Sequence, residues 1–208
     1  MEIVKPSVEL LAVTPNAEQL IEQCGRICWN SEGKITADSH GPFIRMLLKR
    51  GHESVIEHAY ATLKFITDVG VSREADRHRL ASFSMESTRF CNYGQEKHGG
   101  IRVIPMLDGL NEYQLTRRQN LYSHIEQVYL AELAEGIKPQ QARDVLPLSL
   151  KTEYAWSANF RNWRHIFKVR LAPAAHPQLR VVMRMAFDIL HGVAPNVFPT
   201  EEFCKEET

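Results

Sequence analysis

The sequence predicts a mixed α+β fold: a mixed sheet with long helices. Three observations predict it. Short runs rich in β-branched and aromatic residues recur along the 208 residues, such as "YATLKFIT" at 60–67. Between them, apolar residues repeat at helical spacing, over the longest stretch at 109–135. The two kinds of segment alternate irregularly, which argues against a doubly wound parallel sheet. With no internal repeat, low-complexity tract or linker-like shift in composition, residues 1–208 are expected to form a single domain.

Taken in order, "VELLAV" (8–13) is a short buried strand. A helix follows, with Thr14 as N-cap and Pro15 at its first position. Leu20, Ile21, Cys24, Ile27 and Cys28 form its apolar stripe, so the two cysteines read as core packing. A second helix spans 42–51, with Gly51 as its C′ residue. After the strand at 60–67, "VSREADRHR" (71–79) reads as a short helix with Ser72 near its start. "FSMESTRFCNY" reads as loop running into strand, and "IRVIPM" (101–106) as a strand. The long helix over 109–135 closes at Gly136, and "KPQQARDVLP" is a short helix or turn. A strand at 148–158 and two helices, at 159–170 and 177–191, complete the chain.

Composition narrows the function. The 25 basic and 25 acidic residues cancel, so a general nucleic-acid coat is disfavoured, while a local basic pocket is allowed. No apolar run approaches the ~20 residues of a membrane span. The first residues lack the pattern of a signal peptide, so the expected compartment is the cytoplasm, with no membrane partner. Cys24, Cys28, Cys91 and Cys204 form no C-x-x-C pair and no disulfide framework.

Several motifs are missing or misplaced. His52 and His58 in "HESVIEH" stand six apart, too far to share a helix face as zinc ligands, and no metal site is expected. There is no dinucleotide-binding or P-loop glycine motif, and no residue is identifiable as a base for Cys91.

The concentrated signal is "RHRLASFSMESTR" (77–89). On a helix, Arg73 and Arg77 would lie one turn apart, as would Glu74 and His78. The segment then adds hydroxyls at Ser82, Ser84, Ser87 and Thr88 and the planar fork of Arg89, all suited to a phosphate. Its arginines are nearly balanced by Glu74, Asp76 and Glu86, which describes a discriminating pocket rather than a sticky patch. A second cluster lies in "NFRNWRHIFKVRL" (159–171). Arg161 and His165 share a face there, and Asn159 and Arg170 stand about 16 Å apart along the axis. Phe160, Trp163, Ile166, Phe167 and Leu171 form the inward face.

These blocks resemble the flavin-dependent thymidylate synthase family. Arg77–Ser87 fits its R-H-R-x7-S signature, and "GHESVIEH", "STRFCNYGQEK", "ARDVLP" and "NFRNWRHIFKVRL" with "AHPQLR" agree in order, from about residue 8 to 200. The resemblance implies a homotetramer that methylates deoxyuridylate, with methylenetetrahydrofolate as carbon donor, FAD as redox mediator, NADPH as reductant and no cysteine nucleophile. It implies flavin contacts at Ser54, Glu57, Arg77, His78, Arg79, Asn159, Arg161, His165 and His176. It implies nucleotide contacts at Glu74, Arg77, Glu86, Ser87, Thr88, Arg89, Arg143 and Arg170. Among these, Ser87, Arg89 and Arg143 suit the phosphate, and Arg170 suits the uracil, where a cation favours negative charge developing on the ring. Met85, Phe90 and the pair Ala75–Asp76 depart from the family pattern. They leave open methylation of uridylate, or hydroxymethylation, at C5. A non-enzymatic nucleotide- or RNA-binding module is the alternative of another class, and zero net charge argues against it.

Overall fold

The structure, a computed structural model, describes residues 1–203. Cys204 lies outside the described residues. The chain divides into two compact units. The first comprises Met1–Pro6, Ile66–Ala75 and Ser84–Tyr154, and the second Ser7–Phe65, Asp76–Phe83 and Ala155 onward.

Six strands and eight α-helices are formed among the described residues. The strands are β1 (Glu2–Ile3), β2 (Ser7–Val13), β3 (Tyr60–Asp68), β4 (Ala81–Met85), β5 (Arg102–Val103) and β6 (Lys151–Asn159). The helices are α1 (Ala17–Ile27), α2 (His40–Lys49), α3 (Val69–Ala75), α4 (Glu112–Ala134), α5 (Pro139–Ala142), α6 (Phe160–Arg170), α7 (Pro177–Val193) and α8 (Thr200–Phe203). Four strands form one sheet in the order β2-β3-β6-β4, and β1 pairs in parallel with β5. Among the described residues, no helix is long and apolar enough to cross a membrane.

Two strands pass into helices without a spacer. Asp68 ends β3, and its carboxylate accepts from the Val71 amide (2.9 Å), capping α3. Asn159 ends β6, and its side-chain oxygen accepts from the Asn162 amide (2.8 Å), capping α6. In the second unit, α6 packs its inner face on β3 and α7. Phe65, Trp156, Trp163, Phe167 and Phe187 are fully buried there, and the Trp163 indole donates to the Ala61 carbonyl (3.2 Å). The first unit has its own core of Tyr93, Ile101, Tyr129, Ala142 and Leu150.

The helices at 42–51, 109–135 and 177–191 form close to the expected bounds. Gly51 (φ 73°) and Gly136 (φ 90°) each sit just past a helix end in the left-handed region. Elsewhere the structure corrects the sequence reading. Helix α1 starts at Ala17, with Asn16 rather than Thr14 at its N-cap, because Thr14 is engaged with the start of β3: its hydroxyl accepts from the Tyr60 amide (2.9 Å). Cys28 is exposed and Cys24 only half-buried. The inner face of α1 instead carries Glu18 and Glu22, whose carboxylates are satisfied by Asn196, Ser39 and Arg26. The helix expected over 71–79 starts at Val69 and stops at Ala75, so Arg73 and Arg77 do not share a helical turn. The "FSMESTRFCNY" segment (83–93) is the end of a strand followed by loop, the reverse of the expected order. Strand β5 is two residues long.

Candidate active site

Helix α6 organises the second unit's polar wall. Asn162, three residues into it, donates through Nδ2 to the carbonyls of Arg79 (3.1 Å) and Leu80 (3.2 Å). Leu80 has φ 59°, a left-handed conformation uncommon for a non-glycine residue, so these bonds secure a strained turn. The Arg77–Arg79 turn is thereby strapped onto α6.

The strap places His78 against the end of α6. Arg170 Nε donates to His78 Nε2 (2.8 Å), the His78 ring lies 5.6 Å from that of Trp156, and the His165 ring stands 6.1 Å away. Burial, then the charge of Arg170, then His165 lower the His78 pKa to about 4. His78 is therefore neutral at pH 7 and accepts from Arg170 at Nε2.

A cavity of about 710 Å³ opens on the same helix, with Asn159, Arg161, Asn162, His165 and Lys168 in its wall and Leu80 at the turn. Arg161 donates to Glu57 (2.6 Å) and also pairs with Glu53 (3.5 Å). The hydrogen bond to Glu57 raises its pKa further. Arg164 holds Glu202 with two bonds, at 2.7 and 2.6 Å, bringing α8 to the cavity wall.

The first unit contains the hydroxyl-rich loop. Arg143 donates to the Thr88 hydroxyl (3.2 Å), and Arg89 Nε donates to Gln140 (3.2 Å). Ser87 turns the loop: its carbonyl accepts from the amides of Phe90 (3.1 Å) and Cys91 (2.9 Å), and its hydroxyl from that of Arg89 (3.3 Å). A cavity of about 350 Å³ is lined by Thr88, Arg143 and Arg73 together with Asp144. Glu86 accepts from Tyr93 and Lys151 at the root of the loop.

Most of the chain, residues 9–196, matches the family model described as "Thymidylate synthase complementing protein". The flavin-dependent thymidylate synthase of Corynebacterium glutamicum is 31% identical, with 95% of this chain and 90% of the relative covered. The chain belongs to the flavin-dependent thymidylate synthase family. The enzyme of that name from Geobacter sulfurreducens is 29% identical over 92% of this chain and 84% of its own length. Two solved structures share the fold. PolB of Streptomyces cacaoi, a UMP/dUMP methylase bound with 5-Br dUMP, superposes with a TM-score of 0.80 at 21% identity, covering 95% of each chain. Thymidylate Synthase X of Helicobacter pylori, with FAD and dUMP, superposes with a TM-score of 0.74 at 23% identity, covering 94% of this chain and 98% of that one.

Against the residues singled out by family resemblance, the structure draws a clear division. Arg77, His78, Arg79, Asn159, Arg161, His165 and Arg170 belong to the second unit, as do Ser54, Glu57 and His176. Glu74, Glu86, Ser87, Thr88, Arg89 and Arg143 belong to the first. Ser54 is exposed on the turn that carries Glu53 and Glu57, and His176 is exposed at the N-cap of α7. Neither lines the described cavity wall, and of the other residues expected to contact flavin, Arg77, His78 and Arg79 do not line it either. The sequence reading missed Asn162, Lys168 and Glu202 in the second unit, and the cavity-lining role of Arg73 in the first. Asn162 carried one signal, a second amide three residues after the capping Asn159.

Proposed function

We propose that this chain is a thymidylate synthase that converts deoxyuridylate to thymidylate. Methylenetetrahydrofolate is the carbon donor, FAD the redox mediator and NADPH the reductant, and no cysteine acts as nucleophile. The chain works as one functional domain, within a cytoplasmic homotetramer. The observation that carries the reading is the hydrogen bond from Arg170 to a neutral His78, beside the Arg77–Arg79 turn strapped onto α6. Exposed apolar residues on α4, Tyr113 and Leu121, support assembly with further copies.

The second unit's residues fit a flavin. About 710 Å³ lies within the usual range for cofactor clefts, roughly 300–1,000 Å³. Asn159, Asn162 and His165 offer polar groups there, and Arg161 and Lys168 offer cations. FAD supplies the redox chemistry when bound. Arg143 and Arg73, with the Thr88 hydroxyl, suit the nucleotide phosphate.

Arg170 acts on the pyrimidine. Its cation beside N3 and O2 favours negative charge on the ring and makes C5 a better nucleophile. His78 orients the guanidinium as a neutral acceptor. A carboxylate in its place would orient Arg170 equally well but cancel the charge the reaction needs.

The test is turnover of deoxyuridylate with methylenetetrahydrofolate and NADPH by the flavin-loaded protein. Arg170→Ala is expected to keep its flavin and lose most methylation. A kcat within about threefold of wild type would remove Arg170 from this role. A second reading is the same chemistry on uridylate, or hydroxymethylation at C5. It is favoured by apolar Phe90, 75% exposed beside the anion loop, one of the residues that depart from the pattern the resemblance implies. A clear preference for uridylate over deoxyuridylate, or a hydroxymethylated product, would select it.

A further inference from the structure

The hydroxyl-rich loop hangs from one carboxylate. Glu86 precedes Ser87, Thr88 and Arg89, and both of its oxygens are occupied from within the protein. The Tyr93 hydroxyl donates to Oε1 (2.9 Å), and Lys151 Nζ donates to Oε2 (3.2 Å). Lys151 also pairs with Glu153, and the Glu86 amide donates to the Glu153 carbonyl (2.8 Å). We propose that Tyr93 and Lys151 are positioning residues for nucleotide binding, clamping Glu86 so that the Ser87–Arg89 loop stands in the geometry its anion requires. The proposal rests on the functional reading above.

Both partners are anchored independently of the loop. Tyr93 is 5% exposed in the first unit's core, where its amide donates to the Tyr129 hydroxyl (3.3 Å). Burial and the neighbouring Glu86 push its phenol strongly upward, so it remains a donor at every working pH. Lys151, 5% exposed, opens β6 and cannot follow a moving loop without abandoning the strand. Lys151 is also what lets Glu86 and Glu153 share one small space. Without the ammonium, two carboxylates would face each other in a poorly solvated setting, and the exposed loop would be the part to yield.

The connection from clamp to anion is short. Two residues past Glu86, the Thr88 hydroxyl accepts from Arg143 in the cavity that Arg73 also lines. A shift at Glu86 therefore breaks the register between Thr88 and Arg143. The Asn162 strap and the His78–Arg170 pair are held by other residues, so the expected effect falls on the nucleotide rather than on the flavin. Glu86, expected by resemblance to contact the nucleotide, acts in this account through the loop it holds.

The experiment measures deoxyuridylate KM and kcat, deoxyuridylate Kd by calorimetry, FAD affinity and melting temperature for Tyr93→Phe, Lys151→Met and Lys151→Arg holoenzymes. Tyr93→Phe and Lys151→Met are each expected to raise the nucleotide KM and Kd about tenfold, the scale of one lost charge-assisted hydrogen bond. Their kcat and FAD affinity should stay within about twofold of wild type, and Lys151→Arg should recover most of the loss. Unchanged nucleotide Kd in Tyr93→Phe overturns the proposal, as does a fall in kcat at constant KM. Tyr93→Phe keeps the buried ring, so it decides the matter even if Lys151→Met does not fold. Wild-type holoenzyme that binds no deoxyuridylate would defeat the functional reading itself. Wild type that binds it no better than Tyr93→Phe defeats only the clamp.

Discussion

His78 shows how one side chain can be held in a single protonation state by its surroundings. Its folded pKa of about 4 lies below the ordinary value of 6.5, so the folded chain resists the proton that an unfolded chain accepts. Between those values the unfolded state binds more protons. The contribution of neutral His78 is thus complete above about pH 6.5 and is lost as the pH falls towards 4. Melting temperatures between pH 7.5 and 4.5 check this: wild type should fall more steeply than His78→Gln, and parallel slopes would show that His78 does not report its burial. The pair itself is only half legible in sequence. The R-H-R motif and the helix ending at Arg170 both draw notice, but a bond between residues 92 positions apart cannot be read from spacing. Asn162 is harder still, since an amide inside a helical pattern reads as a solvated face. Its function depends on the left-handed turn at Leu80, which no propensity predicts.

Among elements, periodicity reveals the long ones and fails where neighbouring side chains set the ends. Helix α7 and strand β3 were legible because their buried positions recur at the helical and strand periods. Helix α3 was not, because Asp68 caps it from the end of the preceding strand and it stops at Ala75, short of the expected Arg79. The inward faces of α1 and β6 each carry charge, Glu18 and Glu22 in one and Lys151 in the other, where a polarity pattern expects apolar residues. The α1–α2 contact offers a direct test. A methyl group at Gly25 would stand 2.7 Å from Phe43 Cε1, and Phe43 is buried under Arg26 and Trp29. Alanine gains up to about 1 kcal/mol of helix propensity over glycine, while overpacking costs about 1–3 kcal/mol. Gly25→Ala is therefore expected to lose about 1 kcal/mol, read as a lower denaturation midpoint; a higher midpoint would mean that α1 can shift.

At the scale of the whole molecule, α4 presents 23 residues of helix of which only Tyr122 and Tyr129 are buried, while Tyr113 is 75% and Leu121 52% exposed. Its exposed apolar side chains are where the proposed assembly is tested. Light scattering should give four times the 23.9 kDa chain mass, and dissociation on replacing Leu121 with a charged residue would place α4 in the interface. A monomer at micromolar concentration would exclude the assembly. The joins without spacers, at Asp68–Val69 and Asn159–Phe160, bear on how such chains diverge. One residue gained after Asn159 would rotate everything downstream on α6 by about 100°, swinging His165 and Arg170 off their bearing together. Residues added or removed around Glu32–Lys34 or Gly109 would turn no helix on its strand, whereas at these two seams only an exchange of side chains keeps the bearing.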